Sequence, residues 1–125
     1  MSTTRPTLAV LGGTGKEGTG LALRWAQAGY DVIIGSRAAE RAAEAAAAMN
    51  ATLGTSRVRG LGNEEAAAAG EIVVLTVPPE AQLATLASVK SQLQGKIVVD
   101  ATARVDARNP KPPEGRASAR LAQDL

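Results

Sequence analysis

The chain has 125 residues, a formal net charge of +2 and 45% hydrophobic residues, which suits one globular domain of ordinary size. It contains no cysteine and no histidine, so disulfides, imidazole bases and metal sites built from these ligands are excluded, and we expect no metal. One tryptophan, one tyrosine and no phenylalanine leave few rings on which bases could stack, so we expect no nucleic-acid partner.

The N-terminal segment "MSTTRPT" lacks the hydrophobic stretch of a signal peptide. No apolar run in the chain approaches the roughly 20 residues of a membrane-spanning helix. Together these features predict a cytoplasmic protein that makes no contact with a membrane.

Five short apolar runs alternate with segments that are rich in Ala, Leu, Glu and Gln. The runs consist largely of Val, Ile and Leu without polar alternation, which is typical of strands buried on both faces of a parallel sheet. The segments between them are composed of good helix formers. We predict strands at residues 7–11, 31–35, 57–61 (the weakest), 71–77 and 96–100, and helices at residues 15–28, 38–50, 64–69 and 80–93.

This order of elements predicts an α/β fold, a Rossmann-type doubly wound parallel sheet with the strand order 3-2-1-4-5. Ligands of such folds bind beyond the carboxyl ends of the strands, in the crevice between the first and fourth strands. Within the third helical segment, Asn63 stands before Glu64 and Glu65, a pattern that predicts a helix N-cap.

A G-x-G-x-x-G sequence follows the first predicted strand and opens the first predicted helix. The first glycine of this motif permits a tight turn, the second lets a pyrophosphate approach bare backbone, and the third lets the helix pack closely. The helix N-terminus then offers unpaired N–H groups to the anion. The motif predicts dinucleotide binding, although glycine-rich turns also occur as simple connections; its residues are Gly13, Thr14, Gly15, Lys16, Glu17 and Gly18.

A P-loop for nucleoside triphosphates is excluded by two residues of this segment. A P-loop requires Ser or Thr directly after Gly-Lys, but Gly15 and Lys16 are followed by Glu17. The glycine that should stand five positions before Gly15 is replaced by Val10.

The second predicted strand ends in Ser36 and Arg37, with Arg41 one turn into the next helix. A site for NAD normally has an acidic residue at this corner to hold the ribose 2′-hydroxyl. A hydroxyl and two guanidinium groups suit a 2′-phosphate instead, so we predict a preference for NADP(H) over NAD(H). The alternative is that both arginines merely solvate the start of a helix.

The segment "LTVPPEA" ends the fourth predicted strand at the same crevice. Two prolines stop the strand and start a helix, where proline is tolerated. Thr76 and Val77 either line the nicotinamide half of the pocket or simply end the strand, and spacing alone leaves both interpretations open.

With these residues the chain resembles the NADP-binding domain of the NADPH-dependent coenzyme F420 reductases (F420:NADP oxidoreductases). The resemblance rests on "LAVLGGTGKEGTGLALRWAQAGYDVIIGSR", "LTVPPEA" and "KIVVDAT", and similar segments occur in pyrroline-5-carboxylate reductases. It implies hydride transfer between NADP(H) and the deazaflavin F420. Such transfer between two bound redox cofactors depends on placement and exclusion of water, so we predict no catalytic side chain.

The resemblance also implies roles for individual residues. Thr14 and the neighbouring backbone would hold the phosphates, and Ser36, Arg37 and Arg41 would hold the 2′-phosphate. Close to the nicotinamide it implies Thr76, Val77 and Pro78.

Members of this family are roughly twice as long, so the chain is predicted to stop before a further strand and a C-terminal helical region that completes the deazaflavin pocket. We predict an NADP-binding domain over residues 1–101, then a loop and partial helix over residues 102–125. The fifth strand would lie at an apolar sheet edge, which predicts homo-oligomers. Alternative functions are a non-enzymatic NADP(H)-binding redox sensor and an inactive cofactor-binding fragment.

Overall fold

The computed structural model describes residues 5–102, Arg120 and residues 123–125. In that part of the chain, helices alternate with five strands: β1 (Leu8–Leu11), β2 (Val32–Ser36), β3 (Val58–Gly62), β4 (Ile72–Leu75) and β5 (Ile97–Asp100). The α-helices are α1 (Lys16–Gln27), α2 (Ala39–Leu53), α3 (Asn63–Ala69) and α4 (Gln82–Val89). Short 3-10 turns flank the last of these helices, at Pro79–Ala81 and Lys90–Leu93.

The five strands form one parallel sheet in the order β3-β2-β1-β4-β5. Leu8 of β1 lies beside Val32 on one side and beside Ile72 on the other, so β1 is the centre of the sheet. The predicted Rossmann-type fold and the predicted strand order are therefore confirmed. The crevice at which the strand order reverses lies between β1 and β4, where β1 continues into the glycine loop.

Alternate residues of the central strands pack on opposite faces of the sheet. On one face, Ala9 and Leu11 join the residues of α3 and α4 in a buried cluster. On the other face, Val10 lies in a second cluster with the alanines of α1 and α2. Gly60 of β3 lies so close to α2 that an added Cβ would be 2.1 Å from the Ala42 carbonyl. Small residues on both sides thus allow the helices to lie close to the sheet.

Two predicted details are corrected by the backbone. Asn63 is the first residue of α3, and the cap position belongs to Gly62. The fourth strand ends at Leu75, not at Val77, because its partner β1 ends at Leu11, which is paired with Leu75. The predicted loop and partial helix after residue 102 fall almost wholly outside the described residues.

The described residues contain neither a membrane-spanning helix nor a cluster of metal ligands. No helix there is both long enough and apolar enough to cross a membrane. Nor do three or more Asp or Glu side chains come together there as ligands for a metal ion.

Candidate nucleotide-cofactor site

The glycine loop after β1 is fixed to the end of β2 by backbone hydrogen bonds. The N–H groups of Gly12 and Gly13 both donate to the Gly35 carbonyl, at 3.0 and 3.2 Å. Gly12 has a φ of +79°, a left-handed conformation that favours glycine. The tight turn therefore depends on Gly12, whereas the sequence interpretation assigned it to Gly13. Gly13 is small for another reason, since an added Cβ would be 2.5 Å from Cγ2 of Ile34.

The third glycine of the motif lets α1 begin directly against the loop. A Cβ on Gly18 would be 2.7 Å from the Gly12 carbonyl oxygen and 2.8 Å from Cα of Gly13. It would also be 2.7 Å from Oγ1 of Thr76. Such distances are too short for any side chain, so helix, loop and β4 meet only because this residue is glycine.

Gly15, the second glycine of the motif, has free space beside it, in contrast to Gly18. It is exposed and precedes the first residue of α1, and no side chain caps this helix. A Cβ added there would have the Gly12 oxygen at 3.5 Å as its only neighbour within 4 Å. The N–H groups of the first helical turn have no acceptors within the helix. Bare backbone and the positive end of the helix dipole therefore face open space, an arrangement suited to an anion.

The predicted 2′-phosphate residues lie together beyond the end of β2. Ser36 is buried, and its Oγ accepts a hydrogen bond from the N–H of Ala38 at 3.2 Å. Its hydroxyl hydrogen can still be donated to a ligand. Arg37 and Arg41 are exposed, and within the described residues no hydrogen bond or ion pair involves their guanidinium groups. Two unpaired cations thus stand beside a buried hydroxyl.

Thr76 and Val77 close the opposite wall. Thr76 is buried, and both its N–H and its hydroxyl donate to the carbonyl of Leu11, at 3.0 and 2.8 Å. Val77 lies against Gly12, with its Cγ1 2.8 Å from where a Cβ of that glycine would be. Pro78 is exposed at the rim. The Thr76 hydroxyl thus has a structural partner, and the apolar surface of this wall comes from Val77 and the prolines.

All these elements surround a cavity of about 1280 Å³ at the carboxyl ends of the strands. Gly13 and Gly18 are buried behind its wall. The other ten predicted site residues line it: Thr14, Gly15, Lys16, Glu17, Ser36, Arg37, Arg41, Thr76, Val77 and Pro78. Residues far apart in the sequence are thus brought around one cavity.

Several lining residues were missed by the sequence interpretation. Along α4 and just before it they are small and recur at helical spacing, a signal that was present in the sequence: Ala81, Ala84, Thr85 and Ser88. Asn63 also lines the cavity, and its Oδ1 is buried without a hydrogen-bond partner in the structure. Only the pairing of β2 with β3 brings Asn63 close to Gly35, so its spacing in the sequence carried no such signal.

Comparisons with known proteins agree with this geometry. Residues 7–104 match the family model described as NADP oxidoreductase, coenzyme F420-dependent. A curated relative, the F420-dependent NADP reductase of Methanothermobacter thermautotrophicus, is 50% identical over 101 residues. The chain belongs to the F420-dependent NADP oxidoreductase family. The sequence-based resemblance to that family is thereby confirmed.

The chain spans less than half the length of these curated relatives. The alignment with the Methanothermobacter reductase covers 79% of this chain and 44% of the relative. The F420-dependent NADP reductase of Methanocaldococcus jannaschii is 45% identical over 96 residues, covering 74% of this chain and 43% of the relative. The matched part of this F420-dependent oxidoreductase family member includes the whole sheet and the cavity wall built on it.

Solved structures share the same fold. A crystal structure from Arthrobacter sp. FB24, provisionally assigned as an F420-dependent NADP reductase, matches with a TM-score of 0.76 and 26% identity. The match covers 96% of this chain and 57% of that one. Pyrroline carboxylate reductase from Plasmodium falciparum, solved with NADP bound, matches with a TM-score of 0.61 at 19% identity, over 86% of this chain and 37% of that one. The likeness to this last structure is one of fold.

Proposed function

We propose that this chain binds NADP(H) and takes part in hydride transfer between NADP(H) and the deazaflavin coenzyme F420. The observation that carries the proposal is the meeting of three features around one cavity. These are the open Gly15 backbone at the start of α1, the unpaired guanidinium groups of Arg37 and Arg41, and the apolar wall at Val77.

The residues fit the pyrophosphate of a dinucleotide at the glycine loop. Space is free beside Gly15, and the uncapped first turn of α1 offers N–H donors and a partial positive charge. Thr14 and Lys16 stand at the same place on the cavity wall and can add a hydroxyl and an ammonium group. Glu17 also lines this wall, in the first turn of α1, where the helix dipole favours an acid.

The residues at the end of β2 fit the additional phosphate that distinguishes NADP from NAD. Arg37 and Arg41 bring two cationic forks to the corner where an NAD site carries an acid. Ser36 adds a hydroxyl that can still donate a hydrogen bond. Glu64 and Glu65 lie around a smaller neighbouring cavity of about 360 Å³ that also borders Arg37. Neither acid forms an ion pair with that arginine, so its charge stays available to a ligand.

A nicotinamide held here would supply or accept the hydride, and the residues of the chain would orient the cofactor and exclude water. Thr76, tied to Leu11, holds the end of β4 at the crevice. Val77 presents an apolar surface beside Gly12, where the flat ring of a nicotinamide could rest. The acidic side chains among the described lining residues, Glu17 and Glu80, are both exposed to solvent. This suits a reaction that needs placement and no protein acid or base.

The extent of the domain and its partners are also proposals. We propose that residues 1–101 form the NADP-binding domain and that residues 102–125 lead out of it. In the full-length relatives, the second half of the chain would complete the deazaflavin site. We further expect small-molecule cofactors as partners, without nucleic acid.

The decisive experiment titrates the chain with NADPH and with NADH by calorimetry. We expect tighter binding of NADPH, and we expect Arg37→Ala and Arg41→Ala each to remove most of that preference. Charge-assisted hydrogen bonds contribute about 1.5–3 kcal/mol, which corresponds to a roughly ten- to hundredfold weaker affinity for NADPH. Arg59→Ala is the matched control, since Arg59 is exposed on β3 away from the cavity and should leave both affinities unchanged.

A second measurement tests the reaction. NADPH and oxidised F420 are mixed with the chain, and reduction is followed through the absorbance of the deazaflavin. Turnover supports the proposed oxidoreductase. Binding of NADPH without turnover would favour a cofactor-binding module, and equal affinities for both nicotinamide cofactors would contradict the assignment of the arginines.

A further inference from the structure

Asn63 is a polar residue on the cavity wall whose side chain makes no hydrogen bond within the described part of the chain. It is the first residue of α3 but does not cap that helix, since the cap position belongs to Gly62. Its Oδ1 is buried without a hydrogen-bond partner, and its Nδ2 has none among the described residues either. An unpaired buried polar atom costs folding free energy. A side chain of this kind is a candidate for contact with a ligand.

The pairing of two strands places Asn63 beside the predicted 2′-phosphate residues. Ser36, the last residue of β2, pairs with Gly62, the last residue of β3. Neighbouring strands lie about 4.8 Å apart, so Arg37 and Asn63 leave the sheet side by side. Both line the cavity of about 1280 Å³ and also the smaller one of about 360 Å³. Asn63 therefore stands where the two cavities meet, next to Arg37.

The amide of Asn63 presents its donor atom to this place. Its oxygen packs towards the backbone of Gly35, since a Cβ added to that glycine would be 2.8 Å from Oδ1 of Asn63. Oδ1 is buried, whereas Nδ2 is not among the buried unpaired atoms, so Nδ2 is the polar atom that reaches the cavity. An amide nitrogen has two hydrogens to donate.

The three side chains that meet here all offer hydrogen-bond donors. The Oγ of Ser36 already accepts from the N–H of Ala38 and keeps its own hydrogen for a ligand. The guanidinium group of Arg37 forms no hydrogen bond or ion pair with another described residue. Asn63 adds the hydrogens of Nδ2. Donors without an open acceptor suit a phosphate better than a ribose hydroxyl, for which an NAD site provides a carboxylate.

Two acidic residues limit where such a phosphate can lie. Glu64 and Glu65 follow Asn63 and line the smaller cavity, but they do not line the larger one. Both are exposed, and their negative charges oppose an anion in the smaller cavity. A phosphate is therefore favoured on the side of Asn63 that faces the larger cavity.

We propose that Asn63 is a specificity-determining residue, whose Nδ2 donates to the 2′-phosphate of NADP(H) together with Ser36 and Arg37. The inference rests on the proposed function, because it concerns the same cofactor. It adds a residue from the junction of β3 and α3 to a cradle that otherwise comes from the end of β2 and the start of α2. Oδ1 stays against Gly35 and orients the amide, and the phosphate gives Nδ2 the acceptor that the fold does not supply.

The first test compares ligands with and without a 2′-phosphate by calorimetry: NADPH and 2′,5′-ADP against NADH and 5′-AMP. Asn63→Ala should weaken the binding of NADPH and of 2′,5′-ADP about tenfold each, because a hydrogen bond to a charged group is lost. The affinities for NADH and 5′-AMP should be unchanged. Gln94→Ala is the matched control, since this side-chain amide precedes β5 at the amino ends of the strands and should affect no ligand.

The second test replaces the donor with a carboxylate of the same size. Asn63→Asp should weaken NADPH more than Asn63→Ala does, because the carboxylate repels the phosphate. It should preserve or improve the affinity for NADH, since a carboxylate accepts a hydrogen bond from a ribose hydroxyl. Gln94→Glu makes the same change in net charge away from the cavity and should leave both affinities as they are.

Thermal unfolding without cofactor distinguishes a binding residue from a structural one. Asn63→Ala loses no hydrogen bond within the described part of the fold, so its Tm should not fall. Asn50 provides the contrast, because its Nδ2 donates to the Val58 carbonyl at 2.8 Å and its Oδ1 accepts from the Val58 N–H at 3.0 Å. Asn50→Ala should lower the Tm by several degrees.

Each outcome supports or overturns the proposal. A loss confined to the two ligands with a 2′-phosphate, at an undiminished Tm, supports it. Equal losses for NADPH and NADH would overturn it and assign the amide to the adenine or ribose that both contain. A parent chain that prefers NADPH, with that preference intact in Asn63→Ala, would overturn this inference alone. A parent chain without any preference for NADPH would overturn the proposed function and this inference with it.

Discussion

The hydroxyl of Thr76 donates a 2.8 Å hydrogen bond to the carbonyl of Leu11, so the residue that follows β4 is tied to the end of β1. The N–H of Thr76 donates to the same oxygen at 3.0 Å. This double contact crosses the crevice at the point where the strand order reverses. It holds the wall that carries Val77 against the glycine loop.

Replacement of Thr76 with valine should therefore affect stability more than cofactor affinity. Thr76→Val keeps the shape of the side chain but removes one of the two hydrogen bonds to the Leu11 carbonyl. We expect the free energy of unfolding to fall by about 0.5–1.5 kcal/mol in a urea titration. The free energy of NADPH binding should change by less than this loss in the free energy of unfolding. A large loss of affinity with unchanged stability would instead show that the hydroxyl acts on the cofactor.

Alanine at Gly18 and alanine at Gly15 should have opposite consequences. Gly18→Ala forces a Cβ to within 2.8 Å of backbone atoms of Gly12 and Gly13, and should cost about 1–3 kcal/mol of unfolding free energy. Gly15→Ala meets only one atom, at 3.5 Å, and should leave stability nearly unchanged. It should weaken NADPH binding, because its methyl group occupies the space where the pyrophosphate would approach. Thermal unfolding with and without NADPH separates the two effects. If Gly15→Ala bound NADPH normally, the phosphate site would lie elsewhere.

Alanine at a further glycine, within α1, should increase stability. Gly20 lies inside α1, and an added Cβ there would have no neighbour within 4 Å. Gly20→Ala should therefore raise the free energy of unfolding by about 0.5–1 kcal/mol, since alanine loses less backbone entropy in a helix. Affinity for NADPH should stay as in the parent chain. Chemical denaturation measures the change, and a decrease in stability would reveal a contact at this face of α1.

The buried amide of Gln82 should be more important for stability than its position in a small helix suggests. Gln82 is fully buried, and its Nε2 donates to Oδ2 of Asp100 at 2.7 Å, linking the start of α4 to the end of β5. Gln82→Leu should cost about 1–3 kcal/mol, because the partner carboxylate loses a donor in a half-buried place.

An exposed glutamine provides the control for that experiment. Gln94 donates from its Nε2 to the Lys90 carbonyl at 3.1 Å but lies at the surface. Gln94→Leu should change stability by less than about 0.5 kcal/mol in the same denaturant titration. Equal losses in the two variants would show that burial does not set the strength of the link between α4 and β5.

Most of the fold could be predicted from local patterns. Continuous runs of Val, Ile and Leu marked the strands, since a strand buried on both faces has no polar side. The strand order followed from the handedness of crossovers. The end of β4 was placed two residues too far because Thr76 and Val77 look like strand residues, whereas the neighbouring strand β1 ends at Leu11 and pairs no further than Leu75.

The site was predictable where function is tied to a short motif and hidden where it depends on packing. Gly15, Arg37 and Arg41 could be named because a phosphate site needs bare backbone and cations at set distances from a strand end. Gly12 was missed because a left-handed φ in a run of adjacent glycines depends on how the loop meets β2. Asn63 and the cavity face of α4 were missed because contacts between distant segments place them there.

The sequence by itself determined the alternation of buried strands and helices, the spacing of the glycine motif and the absence of an acid at the end of β2, since each is a property of neighbouring residues. Only the tertiary structure decided which glycine turns the loop, that the Thr76 hydroxyl is engaged by Leu11, and that Asn63 lies beside Ser36 and Arg37. These depend on distances between segments far apart along the chain. The physical reason is that burial and hydrogen bonding each require a second residue in contact. For these residues that second residue is distant in the sequence and comes into contact only when the sheet assembles.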